Sequence, residues 1–272
     1  MIKYKILVST ILVVIFTIGA NAQDTTAMLK EFNKVMSFAV QPYMHYLAYT
    51  KMQATPVLQV QDTLSMKGEF YKNETDLYYS NEQEEMYIQD SFFIKVDKNK
   101  KTIWISKVDV STKDRMNLLP LKNKDLQALF RKKYTISKTV VDDNTEQLNF
   151  ETKQYFDSIS MVMMNVGLRY SGKNFLPQLL EMDVLMKQKL SDEQMTQMEM
   201  ADAGAKNAVQ RVGGDNYLMR TQKVTVTFED VDNSKEKAVQ IPSWKEKLNY
   251  NTVKNEFSGK GIYSDYEITK TF

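Results

Sequence analysis

The sequence predicts a mainly β protein of the α+β class: antiparallel strands in one layer, with two or three helices beside it. Three observations carry this. Apolar residues recur with a period of two along most of the chain. Polar turns separate those runs at short intervals. Helical spacing is confined to a few stretches. Short consecutive strands with polar turns form a meander rather than βαβ units. The 272 residues contain no cysteine, one histidine and 17 methionines. Stability therefore rests on burial, without disulfides, in a chain long enough for a sizeable core.

The first residues carry Lys3 and Lys5, an apolar run from Ile6 to Ile18, and then Gly19-Ala20-Asn21-Ala22. The run is shorter than the roughly 20 residues of a membrane span. With the small residues Ala20 and Ala22 it predicts a signal peptide over residues 1–22, cut after Ala22. No cysteine follows to take a lipid anchor. The mature chain, residues 23–272, is expected in the periplasm as a soluble protein with no transmembrane segment; an extracellular location is the alternative. The formal net charge of +2 equals the contribution of Lys3 and Lys5, so the mature chain is near neutral. Lys and Glu are interspersed, which argues against a nucleic-acid partner or a polybasic membrane patch.

Next, "TTAMLKEFNKVMSF" has helical spacing, with Met28, Phe32, Val35, Met36 and Ala39 on one face and Pro42 as its stop. From Tyr43 the period becomes two. "YMHYLAYTKM" is aromatic-rich, and "LSMKGEFYKN" sets Leu64, Met66 and Phe70 against Ser65, Lys67 and Glu69. Across "EEMYIQDSFFIKV", Met86, Ile88, Phe92, Ile94 and Val96 share a parity and are expected on one face. "DKNKK" is a polar turn before the strand of residues 102–108. "NKDLQALFRKKY" predicts a short helix with Leu126, Leu129 and Phe130 on one side. Strands resume through "YTISKTVV", "EQLNFETK", the methionine-rich "ISMVMMNVGLRYSG" and "PQLLEMDVLMK". In the last, Leu180, Met182, Val184 and Met186 alternate with polar residues, as in a half-buried strand. Ser191 and Gln194 form a capping box, and helical spacing from Met195 to Val212 predicts a second long helix stopped by Gly213-Gly214. "KVTVTFED" and the tail "GIYSDYEITKTF" read as further strands. No repeat or linker divides the chain. One domain over 23–272 is expected, with a helical insertion at about 191–214 and a C-terminal extension at about 243–272.

Little here points to catalysis. Without cysteine or a second histidine, the common zinc sites and catalytic triads have no ligand set, so His45 is read as structural. The acidic groups Glu82, Glu84 and Glu85, Asp142 and Asp143, and Asp230 and Asp232 fall in or near predicted turns and are read as solvated surface. "DVDNSKE" lacks the glycine and distant glutamate of a calcium loop. Asp62-Thr63-Leu64 and Asp157-Ser158-Ile159 resemble the O-glycan acceptor triplets of Bacteroidetes. No enzyme activity, metal or cofactor is expected. The methionines fit either a packed core or an adaptable apolar surface that re-packs around acyl chains.

The order of elements, with "EEMYIQDSFFIKVDKNKKTIWI", "LRYSGKNFLPQLLEMDV" and "VTVTFEDVDNSKEKAVQIP", resembles the LolA/LolB-like superfamily of periplasmic lipoprotein carriers. The likeness covers roughly residues 24–242. It implies an antiparallel half-barrel, an incomplete β-barrel, whose apolar concave face is covered by two or three helices. It also implies non-enzymatic binding and transport of lipoprotein acyl chains or another lipid. The lid-closing arginine of that family has no match; Lys51 is the nearest basic residue. The same-parity residues Met66, Phe70, Ile88, Ile94, Met164, Leu168, Met182 and Met186 are the expected lining of the apolar cavity. The alternative is a structural or protein-interaction component of the cell envelope with a solid interior.

Overall fold

Sixteen strands dominate the protein in a computed structural model, which describes residues 19–21, 25–108, 131–153, 161–200 and 203–272. In chain order the elements are β1 (Gly19–Asn21), α1 (Thr25–Ser37), β2 (Tyr43–Thr55), β3 (Thr63–Asn73), β4 (Asp76–Asn81), β5 (Glu84–Gln89), β6 (Phe92–Asp97) and β7 (Thr102–Lys107). There follow β8 (Tyr134–Asp142), β9 (Thr145–Thr152), β10 (Met161–Ser171), β11 (Pro177–Lys189), α2 (Asp192–Met200), α3 (Ala203–Asn207), β12 (Val209–Val212) and β13 (Asp215–Asp232). The chain closes with α4 (Lys235–Ala238), β14 (Leu248–Asn251), β15 (Glu256–Gly259) and β16 (Glu267–Lys270). The architecture is the mainly β one that the sequence predicts: a large, antiparallel-dominated sheet that is not closed into a barrel.

The chain divides into two compact units. The first holds the described residues of Met1–Val35, Thr50–Ser65 and Pro120–Thr227; the second holds those of Met36–Tyr49, Met66–Leu119 and Phe228–Phe272. Strands of the first follow the order β1-β8-β9-β10-β11-β13, with β12 hairpinned onto β13. Those of the second follow β3-β4-β5-β6-β7-β16, and β14 and β15 form a separate hairpin. Parallel pairing occurs, among the described registers, at β1–β8 and β16–β7.

Three sequence expectations change. First, α1 buries Leu29, Phe32 and Val35 with Thr25, while Met28 and Met36 are only half-buried. The buried stripe is rotated from the predicted one, because residues four and three apart (25, 29, 32) share a face just as 28, 32 and 35 do. Second, residues 191–214 are not one long helix. The predicted capping box is present: the Ser191 N–H donates to Gln194 Oε1 at 3.0 Å, and the Gln194 N–H to Ser191 Oγ at 3.2 Å. Beyond it lie two short helices and β12. Gly213 (φ 60°) and Gly214 (φ 92°) form a two-residue hairpin loop, since Val212 pairs with Asp215. Two consecutive positive φ values are what such a loop requires and glycine supplies. Third, parity does not survive the β5–β6 hairpin. Ile88 pairs with Phe93 and Tyr87 with Ile94 across the Asp90-Ser91 turn. Ile88 and Ile94 therefore lie on opposite faces, because directly paired residues share a face and neighbours alternate.

The second unit's core sits on the face of Tyr71, Tyr78, Tyr87, Ile94 and Ile105, which the C-terminal segment covers with Trp244 and Leu248. Within it, Glu85 is 5 % exposed. Its carboxylate takes Lys247 Nζ at 2.6 Å, Lys98 Nζ at 3.1 Å and the Tyr87 hydroxyl at 2.6 Å. Glu85 is thus an interior ion-pair centre rather than solvated surface, while Glu82 stays exposed. The predicted helix face of Leu126, Leu129 and Phe130 and the triplet at Asp157 lie outside the described residues. So does the predicted signal peptide, apart from Gly19–Asn21, which forms β1.

Candidate functional site

In the first unit the strand registers gather an apolar face. On β10 and β11, Met164 pairs with Val184, Val166 with Met182, and Leu168 with Leu180. On the outer side, Val166 pairs with Phe150 and Leu168 with Leu148. On the inner side, Met182 pairs with Val224 and Leu180 with Val226. Cross-strand partners and residues two apart share a face, so these side chains form one continuous apolar patch. The opposite face carries Asn165, Arg169, Glu181, Asp183, Lys223 and Thr225, as an antiparallel layer with one solvated side should.

Helix α1 covers the apolar face. Phe32 meets Phe150 edge-on, with ring centroids 5.0 Å apart. Around this contact runs a polar rim. The Tyr170 hydroxyl lies 2.9 Å from Glu31 Oε2 on α1 and 3.0 Å from Glu146 Oε2 on β9. Lys138 Nζ lies 2.9 Å from both of those carboxylate oxygens. Burial and the two carboxylates push the Tyr170 hydroxyl pKa well above its ordinary value, so it remains a neutral donor. The Lys138 ammonium, with Tyr170, holds the Glu146 carboxyl below its ordinary value. Farther along α1, Lys34 Nζ sits 4.5 Å over the Phe175 ring, which stacks on Tyr170. Phe175 reaches that position from a left-handed conformation (φ 59°) in the turn before Pro177. At the start of α1, Arg131 Nη2 donates to Thr26 Oγ1 at 2.7 Å. Among the described residues, α1 meets this face through its apolar stripe and through the polar rim.

Four of the eight predicted lining residues meet here. Met164, Leu168 and Met182 are each 3 % exposed. Met186 is half-buried at the far end of the same face, opposite Arg220. In the second unit, Met66, Phe70 and Ile88 share a face, since Phe70 pairs with Tyr79, Tyr79 with Met86, and Leu77 with Ile88. There Asn81 Nδ2 donates to Met66 Sδ at 3.1 Å, and Tyr46 stacks on Phe70 at 5.1 Å. Ile94 faces the other way, fully buried against the C-terminal segment. A depression of about 470 Å³ in the first unit is lined by Thr55, Pro56, Val57, Gly204, Asn207, Ala208 and Met219, and by none of the eight.

His45 is 2 % exposed. Its Nε2 lies 3.0 Å from Glu69 Oε1, its Nδ1 lies 3.2 Å from the Asp230 carbonyl, and its ring packs on Tyr71. This is an interior polar contact set. Asp142 and Asp232 accept backbone N–H groups in turns, from Asn144 and Ser234. Among the described residues, no group of three or more His, Cys, Asp or Glu could hold a metal ion. No helix there is long and apolar enough to cross a membrane. The residues that sequence reasoning missed are Glu31, Lys138 and Tyr170 in the rim, and Arg220; each acquires its role only through partners far away in the chain.

No protein-family model and no curated protein sequence matches the chain. Solved structures do. A DUF1329 family protein from Desulfovibrio piger aligns at 11 % identity and a TM-score of 0.29, over 85 % of this chain and 98 % of its own. A LolA superfamily protein from Nitrosomonas europaea aligns at 10 % identity and a TM-score of 0.25, over 74 % of this chain and 93 % of its own. Both likenesses are distant, and neither assigns this chain an activity.

Proposed function

We propose that this is a periplasmic, non-enzymatic binding protein that carries the acyl chain of a lipoprotein or another lipid on the apolar face beneath α1. One observation carries the reading: Met164, Leu168 and Met182 lie buried on the side of the sheet that α1 meets through Phe32 and Phe150, with a polar rim beside that contact. As described, Leu29, Phe32 and Val35 of α1 occupy that side. A hydrocarbon chain therefore takes the place of the helix side chains when α1 swings away. Burying a methylene on such a face is worth about 0.8 kcal/mol. Burial gained by the acyl chain is thus set against burial lost by the helix side chains, so the two oppose each other. Unbranched, polarizable methionines re-pack around either occupant.

Native mass spectrometry of the mature protein from its own cells tests this. A retained acyl lipid, removed by organic extraction, is the expected result. An empty protein that co-purifies with an envelope protein would instead favour the interaction-component reading.

A further inference from the structure

Where the apolar face of the first unit reaches Met186 it meets a buried ion pair. Arg220 is the cross-strand partner of Met186 on β13. Its Nη2 lies 2.7 Å from Asp62 Oδ1, with the Arg220 side chain 15 % exposed and that of Asp62 4 %. Asp62 Oδ2 also accepts the backbone N–H of Leu58 at 2.6 Å and of Gln59 at 3.0 Å, so the carboxylate is well supplied with donors. The guanidinium is not. Nη2 makes a further long contact of 3.4 Å to the Pro56 carbonyl, and the buried Nε–H has no acceptor among the described residues. A buried donor without an acceptor costs free energy that a ligand acceptor would recover.

We infer that Arg220 recognises the polar head of the carried lipid, and that this head is a neutral acyl ester or amide rather than a free carboxylate. The inference rests on the acyl-carrier reading above and adds the ligand class. Asp62 already cancels the Arg220 charge. A fatty-acid carboxylate would bring a second negative charge beside Asp62, whereas an ester or amide carbonyl offers Nε–H an acceptor at no charge cost. The dimensions suit one chain. From Met186 to Leu180 on β11, six residues at about 3.3 Å each span about 20 Å of apolar face, somewhat more than the roughly 15 Å of one bilayer leaflet.

The test is displacement of the apolar dye N-phenyl-1-naphthylamine from the mature protein by monolaurin or by laurate. Monolaurin is expected to displace it at about tenfold lower concentration. Arg220→Lys, which keeps the charge opposite Asp62 but not the Nε–H, is expected to weaken monolaurin about five- to tenfold relative to dye, the scale of one hydrogen bond. Asp62→Asn, which uncovers the Arg220 charge, is expected to shift the preference toward laurate; a purely structural ion pair would produce no such shift. Unaltered monolaurin binding in Arg220→Lys, or an unaltered ligand ratio in Asp62→Asn, overturns the inference while leaving the carrier reading standing. Failure of the unmutated protein to take up dye or either lipid overturns both.

Discussion

The Tyr170 hydroxyl stands 2.9 Å from Glu31 Oε2, and so joins a strand residue to a helix residue 139 positions earlier. The same oxygen lies 3.0 Å from Glu146. One hydroxyl proton faces two carboxylates, and Lys138 supplies the positive charge that lets them stay together. This contact fastens the cover of the apolar face, so the first prediction concerns it.

Tyr170→Phe keeps the buried ring and removes the latch. A hydrogen bond to a charged group is worth about 1.5–3 kcal/mol. Chemical denaturation should show a loss of that order or slightly less, since rim water can partly replace the hydroxyl. Hydrogen exchange should quicken in α1 more than in β10.

Acid should loosen the protein through two carboxylates. Lys138 holds Glu146 below its ordinary value. For Glu85, burial pushes the value up, but hydrogen bonds and charge from Lys247, with Tyr87 and Lys98, outweigh it and leave the value lowered. A depressed folded value means that the unfolded chain takes up protons first. The stabilisation is complete above the ordinary value of 4.5 and is lost as pH falls through the lower folded values. The melting temperature should therefore fall below about pH 4.5, and Glu146→Gln should make that fall shallower.

Glu85→Gln should be costly. It leaves Lys98 and Lys247 facing an uncharged amide in a largely buried setting. Breaking a buried pair from one side costs about 3–5 kcal/mol. Exchange should rise in the segment around Trp244 and Leu248, which Lys247 ties to the sheet.

Gly214→Val should report the β12–β13 hairpin. At φ 92° a side chain meets no neighbouring atom within 4 Å, so the penalty is one of backbone conformation. That is about 1–2 kcal/mol, read as faster exchange in β12. In a continuous helix ending at this point, the same substitution would leave residues 209–212 protected.

What the chain discloses on inspection is whatever depends on neighbours in sequence. β11 was legible because Leu180 and Met182 alternate with Glu181 and Asp183, one side in water and one not. The Ser191–Gln194 cap was legible because its partners are three residues apart. Parity misled at Asp90-Ser91 because a two-residue turn inverts which numbers share a face, so Ile94 joined the tyrosine core instead of Ile88. Gly213-Gly214 suits a helix stop and a hairpin loop equally, and the pairing of Val212 with Asp215 decided between them. In the candidate site, the shared face of Met164, Leu168, Met182 and Met186 was readable from alternation. The polar groups around them were not, because Glu31 meets Tyr170 and Asp62 meets Arg220 only after the sheet assembles.

The claim that α1 is a movable cover is open to a direct measurement, helped by the absence of native cysteine. Cysteines at Glu31 and Lys138, whose side chains meet at 2.9 Å, would be joined by a short bismaleimide. The linked protein should exclude N-phenyl-1-naphthylamine, and the same variant left unlinked should bind it. Equal uptake by the linked and unlinked forms would show that hydrocarbon enters somewhere other than beneath α1.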